Sequence, residues 1–378
     1  MNTITLLDTA VEVNQRLKRV RSWMDERGLD ALLLRKRRSF SWLTGGRLNH
    51  IGLSVSEGVA DLLLLPDRLV CVTTSMESAR IAEEELVGLD IEMETADWTE
   101  GTAGVLDRLC QGLRVGGDVF VSLPSAHTFV ALTAEVAALS WVLDPSERRR
   151  YRELSLSAAR VLESVCRDVR PGVTEYEVAA EVAHRTWAQG MRTPVVLVAA
   201  DERISRFRHP LPTNNRLKKH LMLVLCAERW GLVTNLTRMV HFGPLPDEIE
   251  RRRQELAEID AAMITATRPD VPLSQVFAQA VEGYQEAGYP DSWRWLHQGG
   301  PTGYASREGF ATPDNQDVVR LHQAFAWNPS LPGLKSEDTI LVGEKENEVL
   351  THTGEWVYLN VKQAKGTILR PDILVGES

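Results

Sequence analysis

Two side chains in this 378-residue sequence are suited to acid–base or ionic chemistry. His209 lies in Arg208-His209-Pro210-Leu211-Pro212-Thr213-Asn214, and Glu337 lies in Ser336-Glu337-Asp338. Imidazole shuttles protons near neutral pH because its ordinary pKa is about 6.5. A carboxylate accepts a guanidinium through two parallel hydrogen bonds, which makes Glu337 a candidate for holding a cationic group. His297 stands just before the glycine turn Gly299-Gly300-Pro301-Thr302-Gly303. Arg307 and Glu308 follow it. Arginine presents a rigid fork of donors to carboxylates. Arg307 therefore reads either as a contact for an acidic ligand or as the neutraliser of Glu337 or Glu308.

Composition limits the remaining chemistry. A net charge of −9 argues against general nucleic-acid binding, which needs a basic face to neutralise phosphates. The local exception, Arg35-Lys36-Arg37-Arg38, reads as a solvated loop after a strand. Cys71, Cys110, Cys166 and Cys226 are widely spaced, with no C-x-x-C pair, so they suggest neither a zinc knuckle nor a disulfide framework. No secretory signal and no run of about 18 apolar residues is evident, which makes a cytoplasmic, non-membrane protein the expectation.

The elements that must position these residues fall into two domains, 1–145 and 146–378. In the first, helical spacing over Val13 to Arg27 ends at Gly28, and Ala31-Leu32-Leu33-Leu34 reads as a buried strand. Ala60 to Leu65 and Leu69 to Thr73 read as a strand pair around Pro66-Asp67, and Gly117 to Leu123 as a further strand. This alternation predicts a small α/β domain. Pro145 marks the boundary, with Ser146 as N-cap of a helix running to about Asp168. The second domain contains a repeat. Arg170, Pro171, Val173, Val178 and Gly190 recur as Arg268, Pro269, Val271, Val276 and Gly288, an offset of 98 residues (Arg170 to Arg268). It predicts two similar halves packed face to face, each with a glycine at the helix C′ position, and a ligand cleft between them.

Those features, taken in order, resemble the creatinase/aminopeptidase P family. The R-P-G-V-T-E opening of the repeat is similar to the start of the catalytic domain in creatinase, prolidase, aminopeptidase P and methionine aminopeptidase. Gly28 to Leu34 with Trp42-Leu43-Thr44-Gly45-Gly46 looks like the creatinase-type N-terminal domain. Thr237-Arg238, Gly299 to Gly303 and Ser336 to Val342 continue the order. The resemblance implies an α/β (α+β) chain, with a creatinase-like N-terminal domain and a C-terminal pita-bread domain with a pseudo-twofold internal repeat. It also implies a homodimer and a small-molecule substrate.

Metallopeptidases of the family hold two divalent ions with two Asp, one His and two Glu. At the matching positions this sequence has Val224, Asn235, Gly300, Asn328 and Glu337, so only the last ligand type survives. Val and Gly side chains cannot coordinate, and one carboxylate cannot hold a pair of ions. The resemblance thus points to no metal and no cofactor. It gives His209 the place of a His that creatinase uses and Glu337 the place of a Glu that binds cationic nitrogens. Asn235, His297, Arg307 and Asn328 become substrate-binding candidates, with Gly300 enlarging the pocket and Arg47 donated by the partner subunit. Thr237 stands where creatinase has a second Glu, which counts against creatine. The implied activity is metal-independent, creatinase-like cleavage of a C–N bond in a small guanidino, amide or amino-acid-derived substrate. The alternatives are a non-catalytic pseudopeptidase that binds a ligand or partner, and an Xaa-Pro aminopeptidase or dipeptidase.

Overall fold

The computed structural model describes residues 6–364 and 366–377. The chain forms two compact units, 1–140 and 141–378. In the first, helix α1 (Leu6–Asp25) leads to β1 (Ala31–Lys36), α2 (Arg37–Leu43), β2 (Glu57–Leu64) and β3 (Leu69–Thr74). Helix α3 (Ser78–Arg80), β4 (Glu92–Ala96), α4 (Ala103–Leu109), β5 (Arg114–Gly117), β6 (Thr128–Ala131) and α5 (Thr133–Ala138) complete it. One six-stranded mixed sheet, ordered β4-β3-β2-β1-β5-β6, places the leucines of β1 at its centre.

Two local expectations fail here for identifiable reasons. The strand expected from Gly117 to Leu123 stops at Gly117, the last residue of β5. The buried Asp118 turns its carboxylate onto the backbone N–H groups of Arg35 (2.9 Å) and Lys36 (3.1 Å), which ends the ladder. The basic run at 35–38 is not a loop. Arg35 and Lys36 close β1 and Arg37 and Arg38 open α2, with Arg35 paired to Glu57 and Asp61.

The second unit begins with α6 (Pro145–Asp168) and α7 (Glu175–Trp187), followed by β7 (Arg192–Ala200), α8 (Glu202–Arg206), β8 (His220–Arg229) and β9 (Leu232–Phe242). Asp144, not Ser146, is the N-cap of α6. Its carboxylate accepts the N–H of Glu147 and Glu147 reaches back, with Pro145 at the first helical position. The second half runs α9 (Asp247–Ala266), α10 (Leu273–Glu286), β10 (Gly299–Thr302), β11 (Ala324–Trp327), β12 (Ser330–Leu331), β13 (Leu334–Lys335), β14 (Asp338–Leu341) and β15 (Glu348–Val349). Strands β16 (Tyr358–Gln363), β17 (Gly366–Pro371) and β18 (Ile373–Gly376) close the chain, and β18 returns to pair beside β9.

The repeat is visible bond by bond. Gly172 donates to the carbonyl of Leu217 and Asp270 to that of Val319; Leu217 donates to Val173 and Val319 to Val271. Thr174 bridges Arg216 as Pro272 bridges Val318. Helix α6 lies on β8 and β9. On the other side, Ile259 and Met263 of α9 and Val276 and Phe277 of α10 share a core with Phe325, Trp327 and Ile340. Gly288 follows the α10 cap directly with φ 81°, whereas Gly190 stands one residue further out from the α7 cap with φ 70°. The two half-sheets join where Thr237 donates to the Glu337 carbonyl (2.9 Å) and Val233 to that of Gly303 (2.7 Å).

Candidate functional site

That junction sets the site. Strands β7 and β8 supply an apolar wall of Val195, Leu197, Val224 and Cys226 to a cavity of about 130 Å3. Facing it are His209, His297, Arg307, Asn328, Lys335 and Glu337. Each arrives by a different route. His209 comes from the loop after α8, His297 from the stretch before β10, and Arg307 from the loop after β10. Asn328 follows β11, Lys335 ends β13 and Glu337 precedes β14.

Glu337 is buried, and both its carboxylate oxygens accept hydrogen bonds. Oε1 accepts from Arg307 Nη2 at 2.8 Å. Oε2 accepts from Lys335 Nζ at 2.8 Å and from the Thr237 hydroxyl at 2.9 Å. Burial opposes the charge on Glu337, but Lys335 and Arg307 outweigh it and hold the carboxyl at about 2. Glu337, expected to receive cationic nitrogens of a ligand, has the protein's own cations on its two oxygens. Arg307 takes the neutralising alternative, and Glu337 is its partner. Arg238 pairs instead with Glu163 (3.3 Å) and Asp338 (2.9 Å) in a separate buried network.

Lys335 and Arg307 against one Glu337 leave the cluster with one surplus positive charge when both histidines are neutral. The histidines are biased that way. His209 is exposed by surface area, yet what burial it has, reinforced by Lys335 and Arg307 and opposed by Glu337, lowers its pKa below the ordinary value. Burial, with Arg307, His209 and Lys335 adding to it, pushes His297 down to about 4. The two rings lie 5.7 Å apart, and His297 stands 4.5 Å from the Phe310 ring. His297 Nδ1, Arg307 Nε and Asn328 Oδ1 are buried and have no hydrogen-bond partner among the described residues. Such atoms carry a desolvation cost that a polar ligand would relieve.

One candidate falls outside this arrangement. Asn235 does not line the cavity; it is fully buried behind it, donating from Nδ2 to the Thr302 hydroxyl at 3.0 Å. Arg47 belongs to the first unit, between α2 and β2. The aromatic Trp327 is core, stacked on Phe325 and donating to Thr267, and Tyr304 bonds Glu147. Two residues that were not site candidates in the sequence matter here. Lys335 was detectable: in an extended chain, residues two apart share a face, which puts Lys335 beside Glu337. Cys226 carried no such signal. Burial and the nearby Glu337 push its thiol up to about 12.

The five positions that the resemblance assigns to metal ligands do not fit a pair of divalent ions. Val224 offers a hydrocarbon wall. Gly300 offers no room: a Cβ there would meet the carbonyl oxygen of Gly309 at 2.5 Å and the Ala311 nitrogen at 3.2 Å. The expectation that Gly300 enlarges the pocket is thus corrected. The backbone of 309–311 fills that space, and Ala311 donates to the Gly299 carbonyl at 3.0 Å. Glu337 is committed to Lys335 and Arg307. Among the described residues no group of three or more His, Cys, Asp or Glu is placed to hold a metal ion. Nor, among them, is any helix long and apolar enough to cross a membrane.

Relatives agree with this architecture. The chain is 26% identical over 221 residues to an uncharacterized peptidase of Staphylococcus haemolyticus, a match spanning 56% of this chain and 62% of that protein. It superposes on the prolidase of Pyrococcus horikoshii with a TM-score of 0.76 at 17% identity, covering 90% of this chain and 98% of the other. The Xaa-Pro dipeptidase of Bacillus anthracis gives 0.74 at 19% identity, covering 96% and 99%. At that identity the superpositions establish the fold, with its N-terminal domain and C-terminal pita-bread domain. Residues 16–140 match the creatinase/prolidase N-terminal domain. Residues 149–344 match metallopeptidase family M24, and the chain belongs to that family.

Proposed function

We propose that this chain is a metal-independent enzyme of the M24 fold that cleaves a C–N bond in a small amide or amino-acid-derived substrate carrying an anionic group, with His209 as the acid/base. The observation that carries the reading is the ion cluster: Glu337 pairs with both Lys335 and Arg307, and one positive charge is left over. A cationic guanidino group is disfavoured there, and an anion or a developing oxyanion is favoured. The cavity holds roughly four water volumes, which suits a small polar head. Neutral His209 takes a proton from the attacking water as its oxygen bonds to the carbonyl carbon. Arg307 and Lys335 face the negative charge that gathers on the carbonyl oxygen. The C–N bond then breaks, and His209 returns the proton to the departing nitrogen.

A panel of N-acyl amino acids and small dipeptides, assayed with a chelator present, tests the reading. Once a turned-over substrate is found, His209→Ala is expected to lower kcat by about 10²–10⁴-fold with an unchanged melting temperature. Full activity in that variant removes His209 from the chemistry. Turnover that appears only with added divalent metal overturns the reading itself.

A further inference from the structure

His209 sits on an exposed loop, and an exposed loop does not by itself hold an imidazole at a cavity mouth. The anchoring comes from Glu175, the first residue of α7, which is 1% exposed. Its Oε1 accepts the N–H of Ala200 at 2.8 Å and Asn215 Nδ2 at 3.4 Å. Its Oε2 accepts the N–H of Thr213 at 2.9 Å, the Thr213 hydroxyl at 2.8 Å, and Arg203 Nη1. Arg203 also donates from Nη2 to the Leu211 carbonyl at 3.1 Å. The clamp therefore grips the chain two and four residues beyond His209. Between His209 and the second grip lie Pro210 and Pro212, whose rings fix φ and whose presence keeps His209 and Leu211 extended. A constraint at Leu211 and Thr213 is carried back to His209 with few soft dihedrals in between.

The internal repeat supplies a control. Glu175 donates its N–H to the Asn215 carbonyl as Leu273 donates to that of Asp317, so the two residues occupy equivalent places in the two halves. Leu273 is buried and apolar, and belongs to the second half's core. The architecture of a half therefore does not require a carboxylate at this place. It is present in the half whose loop bears the cavity histidine. We infer that Glu175, with Arg203, is a positioning residue that fixes the 207–215 loop so that His209 stands over the cavity. This rests on the reading of His209 above, but its test is independent of turnover.

Glu175→Gln presents an amide N–H₂ to partners that are all donors, so the clamp loses at least one bond without losing bulk. Hydrogen exchange and NMR titration of the intact chain, with wild type as reference, read the result. Exchange at the Thr213 and Asn215 amides is expected to rise by about tenfold, with Leu225 and Leu236 in the central strands unchanged. The His209 titration midpoint is expected to move up toward the ordinary histidine value as the ring leaves Lys335 and Arg307. Should Glu175→Gln not fold, Thr213→Val removes the hydroxyl, and with it the bond to Glu175 and the acceptor of the Asn215 N–H, and is expected to shift His209 in the same direction. An unmoved His209 titration in a folded variant overturns the inference. So does an exchange increase spread evenly over β7, β8 and β9, because that marks a purely structural role. Either failure leaves the C–N cleavage reading intact, since the His209→Ala kinetics decide that separately.

Discussion

Glu337→Ala is expected to destabilise the fold by about 3–5 kcal/mol, because removing one partner of a buried ion cluster strands the charge that remains. Here two charges are stranded, Lys335 and Arg307, and both are almost wholly buried. Thr237 loses its acceptor as well. Urea unfolding at neutral pH reads the effect directly. The same cluster has a pH signature. Burial alone would raise the Glu337 carboxyl, but its two cations depress it from about 4.5 in the unfolded chain to about 2. A carboxyl depressed on folding stabilises fully above its unfolded pKa, and that stability is lost as pH falls through the folded value. Glu337 should thus contribute about 3 kcal/mol above pH 4.5 that drains away toward pH 2. Glu337→Ala should flatten that acid limb. A variant as stable as wild type, with the same acid slope, would show that Lys335 and Arg307 do not depend on Glu337.

Restoring the family's histidine at Gly300 is expected to damage the fold without creating a metal site. The first side-chain carbon already falls 2.5 Å from a backbone oxygen, and backbone cannot swing aside as a flexible side chain does. Gly300→Ala should therefore cost about 3 kcal/mol, the upper part of the range for overpacked cores, and Gly300→His more. The segment that must move, 308–311, is bonded to β10 at both ends, by Glu308 to the Pro301 carbonyl (2.8 Å) and Ala311 to the Gly299 carbonyl. Thermal melts of the two variants test this. A Gly300→His chain that melts like wild type would show that the space is open and the ligand position merely vacant.

How far the sequence foretold these features depended on the range of the interaction. The repeat was legible because its residues perform local work: Pro171 and Pro269 turn the chain, and Val173 and Val271 hold it against a loop segment a few dozen residues on. The N-cap of α6 was misread as Ser146, although the sequence carries the signal for Asp144. Proline favours the first helical position, which makes the preceding Asp144 the cap and leaves Ser146 inside. The false strand at 117–123 arose because Val119, Val121 and Leu123 alternate as strand residues do. Only the tertiary bonds of Asp118 to Arg35 and Lys36 reveal that the ladder has ended. At the site, residue types identified which metal ligands were missing but not what replaced them. The pairing of Arg307 with Glu337 spans 30 residues, and the closure of the space beside Gly300 depends on a backbone segment folding back over β10. Neither leaves a periodic trace. Lys335 did leave one, two residues before Glu337.

The central claim is that fixed cations of the protein, Lys335 and Arg307, take the place on Glu337 that metal ions would otherwise hold. The most direct measurement is equilibrium dialysis of the intact chain against manganese, cobalt and zinc, followed by elemental analysis of wild type and Glu337→Gln side by side. The expected result is no stoichiometric ion in either protein and no rise in melting temperature with added metal. Two tightly held ions per chain in wild type, lost in Glu337→Gln, would contradict the claim.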